Sequence, residues 1–234
     1  MKCIILCGGK GSRLAEETKT IPKPMVKIGG TPIVVHIIKY LKYYGFEKII
    51  LATGYKSQII KNYFKKNKYK NILTVYTGKE SLTGGRLLRL KKHLDKDENF
   101  LLTYGDGLTN VNIDKLKKFH YKHKKIATVT AVNPPVRFGE LELRNHRVLK
   151  FAEKKQISKN WISGGYFIFK KKIFEYLKND KTILETSPMK KLTDSNNLLA
   201  FKHNGFWQCM DTLREKKLLE ELWKKNKAPW RIDK

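Results

Sequence analysis

An apolar run, Cys3-Ile4-Ile5-Leu6-Cys7, stops abruptly at Gly8-Gly9-Lys10-Gly11. It reads as a buried strand whose carboxyl end feeds a glycine-rich turn. The texture then repeats. Strand-like runs at residues 47–53, 72–76, 100–104 and 126–132 alternate with helix-periodic segments at 33–41, 57–65, 85–94 and 113–123. The first of these helices opens at Thr31-Pro32, read as an N-cap followed by proline at the first helical position, and should stop at Gly45. Such alternation predicts a Rossmann-like α/β fold, a mostly parallel sheet with helices on both faces. Ligands of such sheets gather at the carboxyl ends of the strands.

After Pro134-Pro135 the pattern changes. Residues 138–143 and 148–153 alternate around Arg144-Asn145-His146-Arg147, a hairpin signal, and 161–169 reads as a further strand. A short helix is expected at 187–193, then a strand pair over 198–210 broken at Asn204-Gly205. Thr212-Leu213-Arg214-Glu215 opens the last helix as a capping box. With no linker, repeat or low-complexity segment, the 234 residues are expected to form one domain.

The turn after the first strand has a chemistry of its own. Three glycines in four residues let backbone N–H groups curl around an anion, and Arg13 and Lys23 add full positive charge. The spacing fits neither a Walker A loop nor a dinucleotide fingerprint, which would need a glycine where Leu14 stands. A plain strand-to-helix turn is the alternative. Asp106, between Gly105 and Gly107 at the end of a strand, offers a carboxylate at the ligand edge that suits Mg²⁺, or else caps the following turn. Asp211 precedes a helix and would ordinarily be its N-cap, but the capping box gives that role to Thr212.

Gly8-Gly9-Lys10-Gly11-Ser12-Arg13-Leu14 with Pro22-Lys23-Pro24-Met25 resembles the signature of the sugar-phosphate nucleotidyltransferases. Within that superfamily the chain is most similar to the glucose-1-phosphate cytidylyltransferase family, through Ser81-Leu82-Thr83-Gly84-Gly85-Arg86 and the closing Lys227-Ala228-Pro229-Trp230. The resemblance implies transfer of CMP from CTP to a sugar 1-phosphate, or to another phosphorylated acceptor such as phosphoglutamine, with Mg²⁺ and release of pyrophosphate. It implies a nucleotide site of Leu6, Gly8, Gly9, Gly11, Ser12, Arg13, Lys23, Thr83, Gly84, Arg86 and Asp106. Arg13 would hold the departing phosphates, Lys23 the α-phosphate, and Asp106 with Asp211 the metal. Arg86 would read cytosine. Gly139, Glu153, Lys154, Gly165 and Tyr166 would form the acceptor side, with Lys155 standing where the family's Glu-Lys-Pro motif has proline. The chain then divides into a nucleotide-binding α/β half (1–133), a β-rich acceptor part (134–211) and a C-terminal helix and tail (212–234). It implies a supply of nucleotide sugar for capsule or lipopolysaccharide building.

The charge bears on partners. Fifty Lys and Arg oppose 21 Asp and Glu, a net of +29, and all but eight of the cations are lysine. Lysine spread over helix surfaces reads as a solvated, positively biased surface that steers anions inward. No nucleic-acid partner is expected, although charge alone would also suit a basic nucleic-acid-binding protein. Cys3, Cys7 and Cys209 are too few for a disulfide framework, and no run suits a membrane helix or signal peptide. A cytoplasmic protein without membrane partners is expected. Residues 63–73 form a shorter segment than in glucose-1-phosphate cytidylyltransferases, so the oligomeric state stays open, a homo-oligomer included.

Overall fold

A computed structural model describes residues 1–134, 139–153 and 160–232. In chain order the strands are β1 (Lys2–Cys7), β2 (Lys27–Ile28), β3 (Thr31–Pro32), β4 (Ile49–Thr53), β5 (Ile72–Tyr76), β6 (Asn99–Tyr104), β7 (Gly107–Thr109), β8 (Ala127–Val132), β9 (Glu140–Arg144), β10 (Arg147–Ala152), β11 (Ile162–Lys170), β12 (Leu198–His203) and β13 (Trp207–Cys209). The helices are α1 (Ala15–Thr18), α2 (Ile33–Tyr43), α3 (Ser57–Lys66), α4 (Thr83–Arg89), α5 (Ile113–His123), α6 (Ser187–Asp194) and α7 (Leu213–Lys224).

Seven strands form the central sheet in the order β12-β8-β11-β6-β1-β4-β5. Every neighbouring pair is parallel except those of β11, which runs antiparallel to β6 and β8. This is the mostly parallel α/β sheet that the alternation predicts. β1 lies in its interior because it is apolar on both faces. Cys3, Ile5 and Cys7 enter one core while Ile4 and Leu6 enter the other. Each large apolar side chain so buried contributes about 1.5–3 kcal/mol.

Register sets where the loops emerge. Leu6 pairs with Tyr104 on one side and Ala52 on the other, so β1, β4 and β6 end together. Their carboxyl ends launch the glycine-rich loop, the residues after Thr53 and the Gly105-Asp106 corner.

Several expectations are corrected. Thr31 does not cap a helix: Gly29 and Gly30, both at positive φ, turn the chain so that β3 pairs with β2, and α2 starts one residue after Pro32. The helix expected at 85–94 is α4 followed by a 3-10 turn, Lys91–Leu94. The strands expected as a pair over 198–210 do not pair with each other. β12 joins β8 in the central sheet, and β13 pairs with β7. β11 and β12 therefore belong to the same sheet as the first half, and the β9–β10 hairpin stands outside it. Arg137, Phe138, Lys154 and Lys155 lie outside the described residues.

Candidate active site

A cavity of about 470 Å³ opens at the carboxyl ends of β1 and β6, lined by residues 6–13, Lys23, residues 79–83, Arg86 and residues 104–106. Of the expected nucleotide residues, Leu6, Gly8, Gly9, Gly11, Ser12, Arg13, Lys23, Thr83, Arg86 and Asp106 line it.

The loop glycines are there for different reasons. Gly11 has φ +66, a left-handed conformation that bulky residues avoid, and its carbonyl accepts from Leu14 N at 2.9 Å and Thr18 Oγ1 at 3.0 Å. At Gly8 an added Cβ would lie 2.0 Å from Arg86 Nη1, so glycine lets the guanidinium pass. Gly9 has nothing within 4 Å of its Cβ position and leaves the backbone open to a ligand.

Arg86 is only 5% exposed. Nη2 donates to the carbonyl of Gly8 at 2.9 Å and of Lys79 at 3.3 Å, while Nη1 donates to the Gly78 carbonyl at 2.7 Å and Thr77 Oγ1 at 3.2 Å. The expected base reader is thus a tie between the glycine loop and the loop of residues 77–82. Its terminal nitrogens are committed to the protein itself. Burial holds its pKa below the usual arginine value, with neighbouring Arg89 acting in the same direction.

Gly84 is placed elsewhere than expected. It does not line the cavity, because it packs on the 180–182 segment, where an added Cβ would come within 2.9 Å of the Thr182 carbonyl. At Gly85 the Asp180 carbonyl would stand 2.3 Å away. This glycine pair serves close packing of α4.

The two aspartates converge. β13 pairs antiparallel with β7, with Cys209 opposite Gly107, and Met210 N donates to the Asp106 carbonyl at 2.9 Å. Lys23, fixed in a 3-10 turn (Lys23–Met25) between Pro22 and Pro24, donates from Nζ to Asp106 Oδ2 and Asp211 Oδ1, each at 2.5 Å. Arg13 Nη1 stands 2.9 Å from Asp211 Oδ2. Burial would lower the basicity of Lys23, but the charges and hydrogen bonds of the two aspartates hold it above the usual lysine value. Burial likewise opposes ionisation of Asp211, and Lys23 with Arg13 overcomes it, keeping this carboxyl below its usual range. The capping box on α7 is present, with Glu215 Oε2 accepting from Asp211 N at 2.6 Å and Thr212 N at 2.9 Å. The Asp211 side chain is thereby left to face Lys23. Two oxygen-bearing anions clasping one cation are a donor set that fits a hard divalent metal.

Cys209 lies beside this pair. Its Sγ is 3.5 Å from Asp211 Oδ2, and burial together with that carboxylate pushes the thiol up to about 12. Cys3 and Cys7 are core residues, as expected. His120 and His123 both contact Thr128 Oγ1, at 2.8 and 2.7 Å, and are structural.

The acceptor residues are only partly brought together. Gly139 and Glu153 meet at the open end of the hairpin, where a Cβ on Gly139 would lie 3.0 Å from Glu153 Oε2. The Tyr166 ring does not line the cavity. It is 1% exposed and donates to the Gly107 carbonyl at 3.1 Å, because the large ring completes the core beneath that corner. Gly165, at φ +73, lets Tyr104 pack against it. Lys154 lies outside the described residues.

Sequence reasoning missed Lys10, Lys79, Glu80, Ser81 and Tyr104 as cavity residues. It also missed Glu185, whose carboxylate accepts from Thr83 Oγ1 at 2.6 Å and from Tyr104. No motif surrounds Glu185, so nothing local signals it.

The family profile described as Nucleotidyl transferase matches residues 2–220. The glucose-1-phosphate cytidylyltransferase of Salmonella typhimurium is 42% identical over 99% of both chains. The probable glucose-1-phosphate cytidylyltransferase of Bacillus subtilis is 38% identical over 99% of this chain and 100% of the other. Among solved structures, HddC from Yersinia pseudotuberculosis superposes with a TM-score of 0.78 at 25% identity, covering 95% of this chain and 99% of that one. No helix among the described residues is long and apolar enough to cross a membrane.

Proposed function

The chain belongs to the nucleotidyl transferase family and is an enzyme that transfers nucleotidyl groups to sugar phosphates, and from that premise we propose that it moves CMP from CTP to glucose 1-phosphate with Mg²⁺. One observation carries the reading: Asp106 and Asp211, 105 positions apart by their numbering, close on Lys23 beside a glycine loop that shares the same cavity. The similarity to cytidylyltransferases along the whole chain supports the choice of nucleotide and acceptor.

The acceptor phosphate is its own nucleophile, being largely ionised at neutral pH with a second pKa of about 6. No side chain needs to remove a proton. The residues must hold two anions in line and neutralise charge as pyrophosphate leaves. The open backbone at Gly9 and the turn at Gly11 receive the triphosphate, Arg13 draws on the departing phosphates, and Lys23 holds the α-phosphate. Asp106 and Asp211 hold the metal, which supplies a Lewis acid to the phosphates. Thr83 stays in the nucleotide site, Arg86 fixes the loop that lies over the base, and Glu153 with Lys154 receives the acceptor.

The test is phosphate release in the presence of inorganic pyrophosphatase, scanned over four nucleoside triphosphates and a panel of phosphorylated acceptors that includes phosphoglutamine. Release restricted to CTP with glucose 1-phosphate upholds the reading. Release with CTP and only another acceptor transfers the substrate assignment, and release with another nucleotide overturns it.

A further inference from the structure

Lys23 holds a position that two carboxylates would otherwise leave to a cation. Its Nζ is 2.5 Å from Asp106 Oδ2 and 2.5 Å from Asp211 Oδ1, and Arg13 takes the other oxygen of Asp211 at 2.9 Å. The four side chains carry two charges of each sign. A divalent cation arriving alone therefore meets carboxylates that are already neutralised. The stem of Lys23 is confined, its side chain one-tenth exposed and its Cβ 3.0 Å from where a Cβ on Gly11 would stand. Its backbone is set between two prolines. Lys23 and the glycine loop line the same cavity, so an anion seated on that loop shares the cavity with the ammonium.

We propose that Lys23 gates the metal position: in the free protein its ammonium fills the gap between Asp106 and Asp211, and the phosphates of the incoming nucleotide draw it away, so that cation binding depends on nucleotide binding. The inference rests on reading Asp106 and Asp211 as the metal-holding pair, and adds an order of events to that reading. Linkage makes the dependence reciprocal, so the cation also tightens the nucleotide.

The experiment uses Mn²⁺ as probe, its binding to nucleotide-free protein followed by the electron paramagnetic resonance of the unbound ion. Lys23→Met removes the charge and keeps the stem, and should bind Mn²⁺ roughly tenfold more tightly than the parent, the scale on which a close charge alters a site. Lys23→Arg keeps a cation between the carboxylates and should stay at the parent's affinity. Equal affinity in the parent and Lys23→Met overturns the gate, provided Asp106→Asn weakens binding in the same assay, which leaves the carboxylate reading standing. If instead the double variant Lys23→Met, Asp106→Asn binds as tightly as Lys23→Met, the ion sits elsewhere and the carboxylate reading itself fails. Should Lys23→Met not fold, Lys23→Gln, which retains a donor for the two carboxylates, is read in the same way.

Discussion

Replacing Arg86 by alanine should loosen the whole upper rim of the cavity, and the size of the effect can be worked from its partners. The Gly8 carbonyl keeps a second donor in Tyr55 N at 3.0 Å, and the Thr53 carbonyl keeps Thr77 N at 2.8 Å. The loss falls on the carbonyls of Gly78 and Lys79, which accept from Arg86 at 2.7 and 3.3 Å. Hydrogen bonds from a charged donor contribute about 1.5–3 kcal/mol each, and water entering from the cavity recovers part of it, so the net cost should be about 3 kcal/mol. For a chain of this length that lowers the thermal midpoint by about 10 °C. Differential scanning calorimetry on parent and variant measures it directly. A midpoint within about 2 °C of the parent would refute the assignment of Arg86 as a structural tie and return it to direct contact with the base.

Asp106→Asn and Asp211→Asn should each lower kcat by about 100-fold or more while leaving the fold intact by circular dichroism, the scale of losing one electrostatic partner of a transition state. Full activity in either variant would remove that residue from the metal site. Gly85→Ala should destabilise by about 1–3 kcal/mol, because the new methyl meets the Asp180 carbonyl at 2.3 Å; urea unfolding at constant m reads the change. The pH dependence follows from Asp211. Its carboxyl is held below the usual range in the folded protein, so its contribution is present above the unfolded value and is lost as pH falls through the folded one. Lys23, held above its usual value, loses its contribution only as pH rises through the raised one. Stability against urea should thus fall more steeply in acid for the parent than for Asp211→Asn, and parallel acid limbs would contradict the ion pair.

Local chemistry made part of this legible in the sequence. The apolar run at Cys3–Cys7 announces an interior strand because both of its faces are apolar, and the glycines that follow announce the turn that leaves its carboxyl end. The capping box at Thr212 and Glu215 is a short-range device, and it correctly frees Asp211. What escaped the sequence depends on contacts distant along the chain. Gly84 looks like a ligand glycine until the 180–182 segment is seen against it and Gly85. Tyr166 is expected on the acceptor side by resemblance, yet the sheet order places β11 next to β6 and buries it. The assignment of β12 and β13 to different sheets follows from pairing with β8 and β7, which no spacing within 198–210 encodes. Arg86 is the clearest case, since an arginine in a first helical turn ordinarily faces water, and the carbonyls of the glycine loop and of the 77–82 loop turn it inward.

The most direct measurement is a single-turnover reaction with CTP labelled at the α-phosphate, glucose 1-phosphate and Mg²⁺. Label should appear in CDP-glucose, one equivalent for each pyrophosphate released, and should vanish in the Asp106→Asn, Asp211→Asn double variant. Label released as CMP, or transfer that survives loss of both aspartates, would contradict the account.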